Sequence, residues 1–180
     1  AIPCAGFVLH TLNLRLAPEQ LAYIINHAED RVIFVDASLL PVLEPIRSEL
    51  KSVTQIVVLN DVRSESSDHL DYEALLAQAP DELYPWPKLD ESAAAAMCYT
   101  SATTGDPKGV VYSHRALFLH SYGSCMADSF ALRERDTILQ LIPMFHANGG
   151  GIPDAGRMPG TRLGVLGRAL PPADIAPLHG

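Results

Sequence analysis

The sequence predicts an α/β fold of mostly parallel βαβ sheet layers with flanking helices. Two apolar, β-branched runs, residues 31–36 (RVIFVD) and 54–59 (TQIVVL), alternate with two helical patterns. Helix and strand in alternation at these spacings build parallel sheets. With 180 residues, 48 % of them hydrophobic and 19 % charged, the chain is long enough for a sizeable core. That composition excludes a disordered, collagenous or disulfide-dense chain.

Residues 18–29 read as the first helix. Pro18 suits the first helical position, Glu19 favours the positive end of the dipole, and Leu21, Ile24, Ile25 and Ala28 form one apolar stripe. The continuous run at 31–36 predicts a strand buried on both faces. Ser38 can cap a second helix to about Leu50, although Pro41 and Pro45 crowd its first turns. Residues 54–59 predict a second buried strand, and the polar stretch 60–70 a surface loop. Asp71 can cap a short helix to about Ala79, followed by a proline-punctuated connection over 80–87 in which Trp86 reads as a packing anchor.

Small and apolar residues at 93–99 (AAAAMCY) lead into a loop, and 110–112 resume a short strand. Ser113 caps a helix through about Ala127, with Leu117, Leu119, Cys125 and Met126 in its apolar positions. On it, His114 and His120 read as packing or surface residues. Residues 136–142 (DTILQLI) are a further strand candidate, closed by Pro143. The stretch 148–180 holds 8 of the 12 glycines and 5 of the 14 prolines, and shows no clear periodicity. Asp36 ends a strand, but no G-x-G-x-x-G precedes it, so it reads as a loop or cap residue.

Charge is unevenly spread. Residues 1–96 carry 6 Lys and Arg against 15 Asp and Glu, and residues 97–180 carry 7 against 6. No basic run is present to attract nucleic acid, so nucleic acid is not an expected partner. The near-neutral second part is the better place for a small-anion site. Cys4, Cys98 and Cys125 are odd in number and widely spaced, which argues against a disulfide framework and for a reducing, cytoplasmic setting. The seven histidines show no metal-ligand spacing. No apolar run approaches the ~20 residues of a transmembrane segment, and no leader pattern stands at the N-terminus.

The segment 99–109 (YTSATTGDPKG) stands apart. Hydroxyl side chains and backbone N–H groups on such a loop can cradle one anion, and Lys108 adds a compact positive charge. Gly105 and Gly109 permit positive φ or close approach, and Pro107 stiffens the turn. An ordinary polar turn has the same composition, and the spacing departs from the G-x-x-x-x-G-K-[ST] phosphate loop.

Ten of these eleven residues fit Y-T-S-G-T-T-G-x-P-K-G, counting the free position at Asp106. The segment thereby resembles the signature of the AMP-forming acyl-adenylating enzymes. Residues 110–115 (VVYSHR), 143–148 (PMFHAN) and 6–16 (GFVLHTLNLRL) resemble motifs of its medium- and long-chain fatty-acyl-CoA synthetases. The resemblance implies that residues 1–180 are part of the large N-terminal adenylation domain. In such enzymes a carboxylate attacks the α-phosphorus of ATP, pyrophosphate leaves, and the thiol of coenzyme A displaces AMP to give a thioester. Carried onto this sequence, Thr100, Ser101, Ala102, Thr103, Thr104 and Gly105 would wrap the β- and γ-phosphates, with Lys108 beside them. Thr100 would help hold Mg²⁺, and His146 would lie on the acyl side. The implied partners are a fatty acid, ATP and CoA, and a homodimer is an expectation for the full-length protein. An aryl- or amino-acid ligase and a non-catalytic nucleotide-binding fragment are the alternatives.

Three departures accompany the resemblance. Ala102 stands where the family has a glycine, which predicts weakened nucleotide affinity. Gly149, Gly150 and Gly151 replace bulkier residues, which predicts an ungated acyl tunnel and a loosened segment. The later Y-G-x-T-E and T-G-D segments, and the C-terminal lid domain with its catalytic lysine, do not occur by residue 180. The sequence also opens Ala1-Ile2-Pro3, with its first methionine at 97. A fragment that is inactive alone is therefore expected.

Overall fold

Pro18 opens the first helix, α1 (Pro18–His27), in a position where its missing N–H costs nothing. Leu21, Ile24 and Ile25 on this helix are at most 2 % exposed. The helix ends two residues earlier than its pattern, because Glu29 takes a positive φ of 57°. This computed structural model describes residues 1–59, 69–100 and 105–165. They divide into two compact units, one of Leu12–Trp86 with Tyr99–Gly109, the other of Ala1–Thr11, Pro87–Cys98 and Val110–Gly180.

In the first unit, strands β2 (Val32–Asp36) and β3 (Gln55–Leu59) pair in parallel, Ile33 against Ile56 and Val35 against Val58. The chain between them is helical but broken. Asp36 Oδ1 accepts from the Ser38 N–H at 2.9 Å and caps a 3-10 turn, then α2 (Leu40–Leu43) passes into a second 3-10 stretch. Asp36 is therefore the cap, and Ser38 is not. Pro41 and Pro45 supply no N–H to the ladder, so no continuous helix forms to Leu50. Leu43, Ile46 and Leu50 on this crossover close over the strands and α1 to make the core.

Two expectations change here. Strand β2 is buried on one face only: Ile33 and Val35 point into the core, while Val32 and Phe34 are 41 % and 48 % exposed. In this sheet only β3, which lies between β2 and a third strand, buries consecutive residues, Ile56, Val57 and Val58. The loop expected over 60–70 ends in a third strand, β4 (Leu70–Asp71), parallel to β3; residues 60–68 lie outside the described ones. Asp71 caps α3 (Tyr72–Gln78) as its sequence predicts, accepting from the Ala74 N–H at 2.8 Å. Trp86 is exposed rather than a packing anchor, and meets Tyr84 edge to face.

The second unit holds a sheet in the order β1-β5-β6, from β1 (Leu9–His10), β5 (Ala94–Tyr99) and β6 (Gly109–Ser113), with β1 parallel to β5. Ser113 Oγ accepts from the Ala116 N–H at 3.1 Å and starts α4 (His114–Cys125). An ion pair from Glu91 to Arg115 ties its first turn back to the segment before β5. The apolar positions expected on α4 are filled only in part: Leu117 and Cys125 are half-buried and Leu119 and Met126 exposed, while the face buried most deeply carries Ser121 and Ser124. Small residues line that face because α6 (Ile152–Arg157), itself carrying buried Ala155 and Gly156, packs closely on it. Strands β7 (Thr137–Gln140) and β8 (Arg162–Val165) form a parallel pair, and β8 lies where the sequence shows no periodicity. Residues 166–180 lie outside the described ones.

Candidate functional site

Of the loop residues assigned to phosphate, Thr100, Gly105 and Lys108 are described, and Ser101, Ala102, Thr103 and Thr104 lie outside the described residues. The Thr100 N–H donates to the Lys108 carbonyl at 3.0 Å, so one hydrogen bond closes the base of the loop. Gly105 has φ +92°, a conformation side chains rarely adopt, and no atom of the described residues stands within 4 Å of where its Cβ would be. Pro107 is buried while Asp106 and Lys108 are exposed, so the turn is pinned at its proline and offers its lysine to solvent. Gly109 serves a different purpose from the ligand approach its sequence allows. Its Cα faces the Tyr99 ring, and a Cβ there would stand 3.1 Å from Tyr99 Cζ.

Tyr99 packs against the core, and its hydroxyl is joined to His27 Nδ1 at 2.7 Å. Burial, then the Asp30 carboxylate and the Tyr23 phenol, push the Tyr99 hydroxyl above its ordinary pKa. Nothing in the spacing of His27 marks it as a neighbour of Tyr99, 72 residues away.

His146 belongs to the other unit and is exposed at the start of a tight turn, α5 (Ala147–Gly150). From Ala147 to Gly151 every residue has positive φ: 45°, 51°, 73°, 72° and 68°. The Gly149 N–H donates to the His146 carbonyl at 3.0 Å. Asn148 is buried, and its Oδ1 accepts from the Cys98 thiol at 2.9 Å and lies 3.3 Å from Thr11 Oγ1, which donates to the Met144 carbonyl. Gln140 Nε2 donates to the Gly149 carbonyl at 3.0 Å and to Ile142 O at 2.6 Å. Burial holds the Cys98 thiol above its ordinary pKa.

The three glycines sit in close packing at positive φ. A Cβ on Gly149 would stand 2.7 Å from Gln140 Nε2 and 2.9 Å from Met144 Sδ, and one on Gly151 would collide with the His120 ring. Their role is close packing in a left-handed turn. Thr11 and Asn148 lie in the 6–16 and 143–148 motifs, but a contact across 137 residues leaves no signal in local sequence.

The family of AMP-binding enzymes matches residues 1–176. The chain is similar to the long-chain-fatty-acid–CoA ligase of Thermus thermophilus, 46 % identical over 178 residues, which cover 99 % of this chain and 32 % of that protein. It is 45 % identical over 169 residues to the 3-methylmercaptopropionyl-CoA ligase of Ruegeria pomeroyi, covering 92 % of this chain and 31 % of that one. Among solved structures it resembles the anthranilate CoA ligase AuaEII in complex with anthranoyl-AMP, with TM-score 0.80, 26 % identity, and coverage of 94 % of this chain and 32 % of that chain. The inhibitor-bound N-terminal domain of FACL13 from Mycobacterium tuberculosis shares the fold, with TM-score 0.79 at 24 % identity over 96 % of this chain and 41 % of that one. The chain spans about a third of the length of the relatives it matches. The extent of the family match decides the matter: this chain belongs to the AMP-binding enzyme family.

Proposed function

We propose that this chain supplies the phosphate-binding part of an ATP-dependent fatty-acid–CoA ligase, as one portion of its N-terminal adenylation domain. The observation that carries the reading is the 99–109 signature on a turn closed by Thr100 and Lys108, with a left-handed Gly105 and an exposed lysine. The similarity to fatty-acid–CoA ligases supports the acid class. Thr100, Ser101, Ala102, Thr103, Thr104, Gly105 and Lys108 take the β- and γ-phosphates through N–H groups, hydroxyls and one positive charge. As the carboxylate attacks the α-phosphorus and pyrophosphate departs, these donors stabilise the charge that builds on the leaving group. Mg²⁺ comes with the nucleotide, and the Thr100 hydroxyl is a hard oxygen donor of the kind that ion prefers. His146 belongs to the acyl side, and CoA then takes the acyl group from AMP. The cysteines are all free thiols, in keeping with a cytoplasmic enzyme.

Exchange of pyrophosphate into ATP, measured in the intact protein with acids of graded chain length, tests this. Exchange that depends on medium- or long-chain fatty acids is the expected result; exchange that depends instead on an aryl or amino acid overturns the substrate class. Ala102 favours a second reading, a non-catalytic nucleotide-binding unit, and ATP binding without exchange on any acid would select it.

A further inference from the structure

The last turn of α1 reaches the base of the phosphate loop through three contacts in one unit. Tyr23 stacks on His27, with ring centroids 5.4 Å apart. His27 is joined to the Tyr99 hydroxyl at 2.7 Å, and the two rings meet edge to face at 5.9 Å. The Tyr99 ring in turn covers Gly109 so closely that its Cζ and Oη would lie 3.1 and 3.3 Å from a Cβ there. The helix at the far end of this chain is firmly held. Ile24 and Ile25 are fully buried, and the Asn26 side chain donates to the Glu49 carbonyl and accepts from the Lys51 N–H.

His27 itself is exposed, so it adds nothing to the core. What it holds is the orientation of Tyr99, the residue before the one whose N–H closes the loop onto Lys108. Gly109 follows Lys108 directly, so the ring of Tyr99 bears on both strands at the loop's mouth.

We propose that His27 is a positioning residue for the nucleotide-phosphate loop, acting through Tyr99 on Gly109 and the Thr100–Lys108 closure. The proposal rests on the reading of 99–109 as an ATP-phosphate loop. The role is transmitted by one hydrogen bond between side chains, so it is separable from core packing.

The test uses the full chain with three variants. His27→Phe keeps a ring on Tyr23 and loses the nitrogen; Tyr99→Phe keeps the ring on Gly109 and loses the hydroxyl. His27→Asn places an amide near the lost nitrogen. Each phenylalanine variant should weaken ATP binding by about three- to tenfold in calorimetric titration, the factor one hydrogen bond supplies. The double variant should be no weaker than either single one, and His27→Asn should recover most of the loss. Amide hydrogen exchange gives a readout that needs no nucleotide: the Thr100 amide should exchange several-fold faster in His27→Phe while the amides of α1 keep their rates. Additive losses in the double variant, or an unchanged Thr100 rate, overturn the proposal. If the unaltered chain fails to bind ATP, the reading of the loop falls, and the Thr100 exchange rate alone decides whether His27 holds it.

Discussion

Two parallel crossovers in this chain are built in opposite ways. From β2 to β3 the connection packs large side chains: Leu43, Ile46 and Leu50 meet Ile33, Val35, Ile56 and Val58. From β7 to β8 the connection runs through a five-residue left-handed turn and a helix whose buried positions are Pro153, Ala155 and Gly156. Its buried polar groups, Gln140 and Asn148, supply hydrogen bonds where the first crossover supplies hydrocarbon. One is held by what the side chains fill, the other by the side chains that are absent.

The contrast is broken most severely in the first crossover's core. Ile25 on α1 is completely buried, and Ile25→Ala should cost about 2–5 kcal/mol, as lost transfer energy and an unfilled cavity add. Urea unfolding checks this: the midpoint should fall with an unchanged slope. In the second crossover the damaging change is an addition. Gly149→Ala places a methyl against Gln140 and Met144 at φ +73° and should cost about 2–4 kcal/mol. Gly123 is the control, since it sits in α4 at ordinary φ with no described atom within 4 Å of a Cβ there. Gly123→Ala should stabilise by about 0.5–1 kcal/mol. If the two alanine variants behaved alike, the left-handed turn would not be the source of the cost.

The same division explains what could be read beforehand. Helix α1, strands β2 and β3 and the Asp71 cap declare themselves through periodicity and a capping residue, and the structure keeps them. Strand β8 and the 147–151 turn do not, because glycine carries no hydrophobic signal and a positive φ at Ala147 has no signature in residue type. Burial on α4 was misread for a related reason: Ser121 and Ser124 are buried because α6 comes close, and closeness selects size over polarity. At the candidate site, the loop itself was legible from its motif, while His27 was not, since it meets Tyr99 across 72 residues.

The Asn148 anchor gives the second crossover a dependence on pH. The Cys98 thiol has its folded pKa raised by burial, so the folded state favours the neutral form that donates to Asn148. A group shifted in this direction contributes fully below its unfolded pKa, about 8.5 for a thiol, and the contribution is lost as pH rises through the higher folded value. Melting temperature should therefore fall from about pH 8.5 upward, and Cys98→Ala should flatten that first part of the decline. The raised Tyr99 hydroxyl acts with the same sign but begins nearer pH 10, so the two are distinguishable.

A last effect concerns a position where a side chain is present and the family pattern has none. Gly105 uses its freedom for a φ of +92°, and Gly109 uses its missing Cβ to admit the Tyr99 ring. Ala102, in the same loop, keeps a methyl that either a positive φ or a phosphate pressed against the backbone would oppose. If such opposition exists, it is of the order of 1 kcal/mol, the usual difference between alanine and glycine in a left-handed conformation. Ala102→Gly should then tighten ATP binding by about fivefold in calorimetric titration, with melting temperature nearly unchanged. Equal affinity in the two proteins would mean that the loop meets its ligand through N–H groups the methyl does not obstruct.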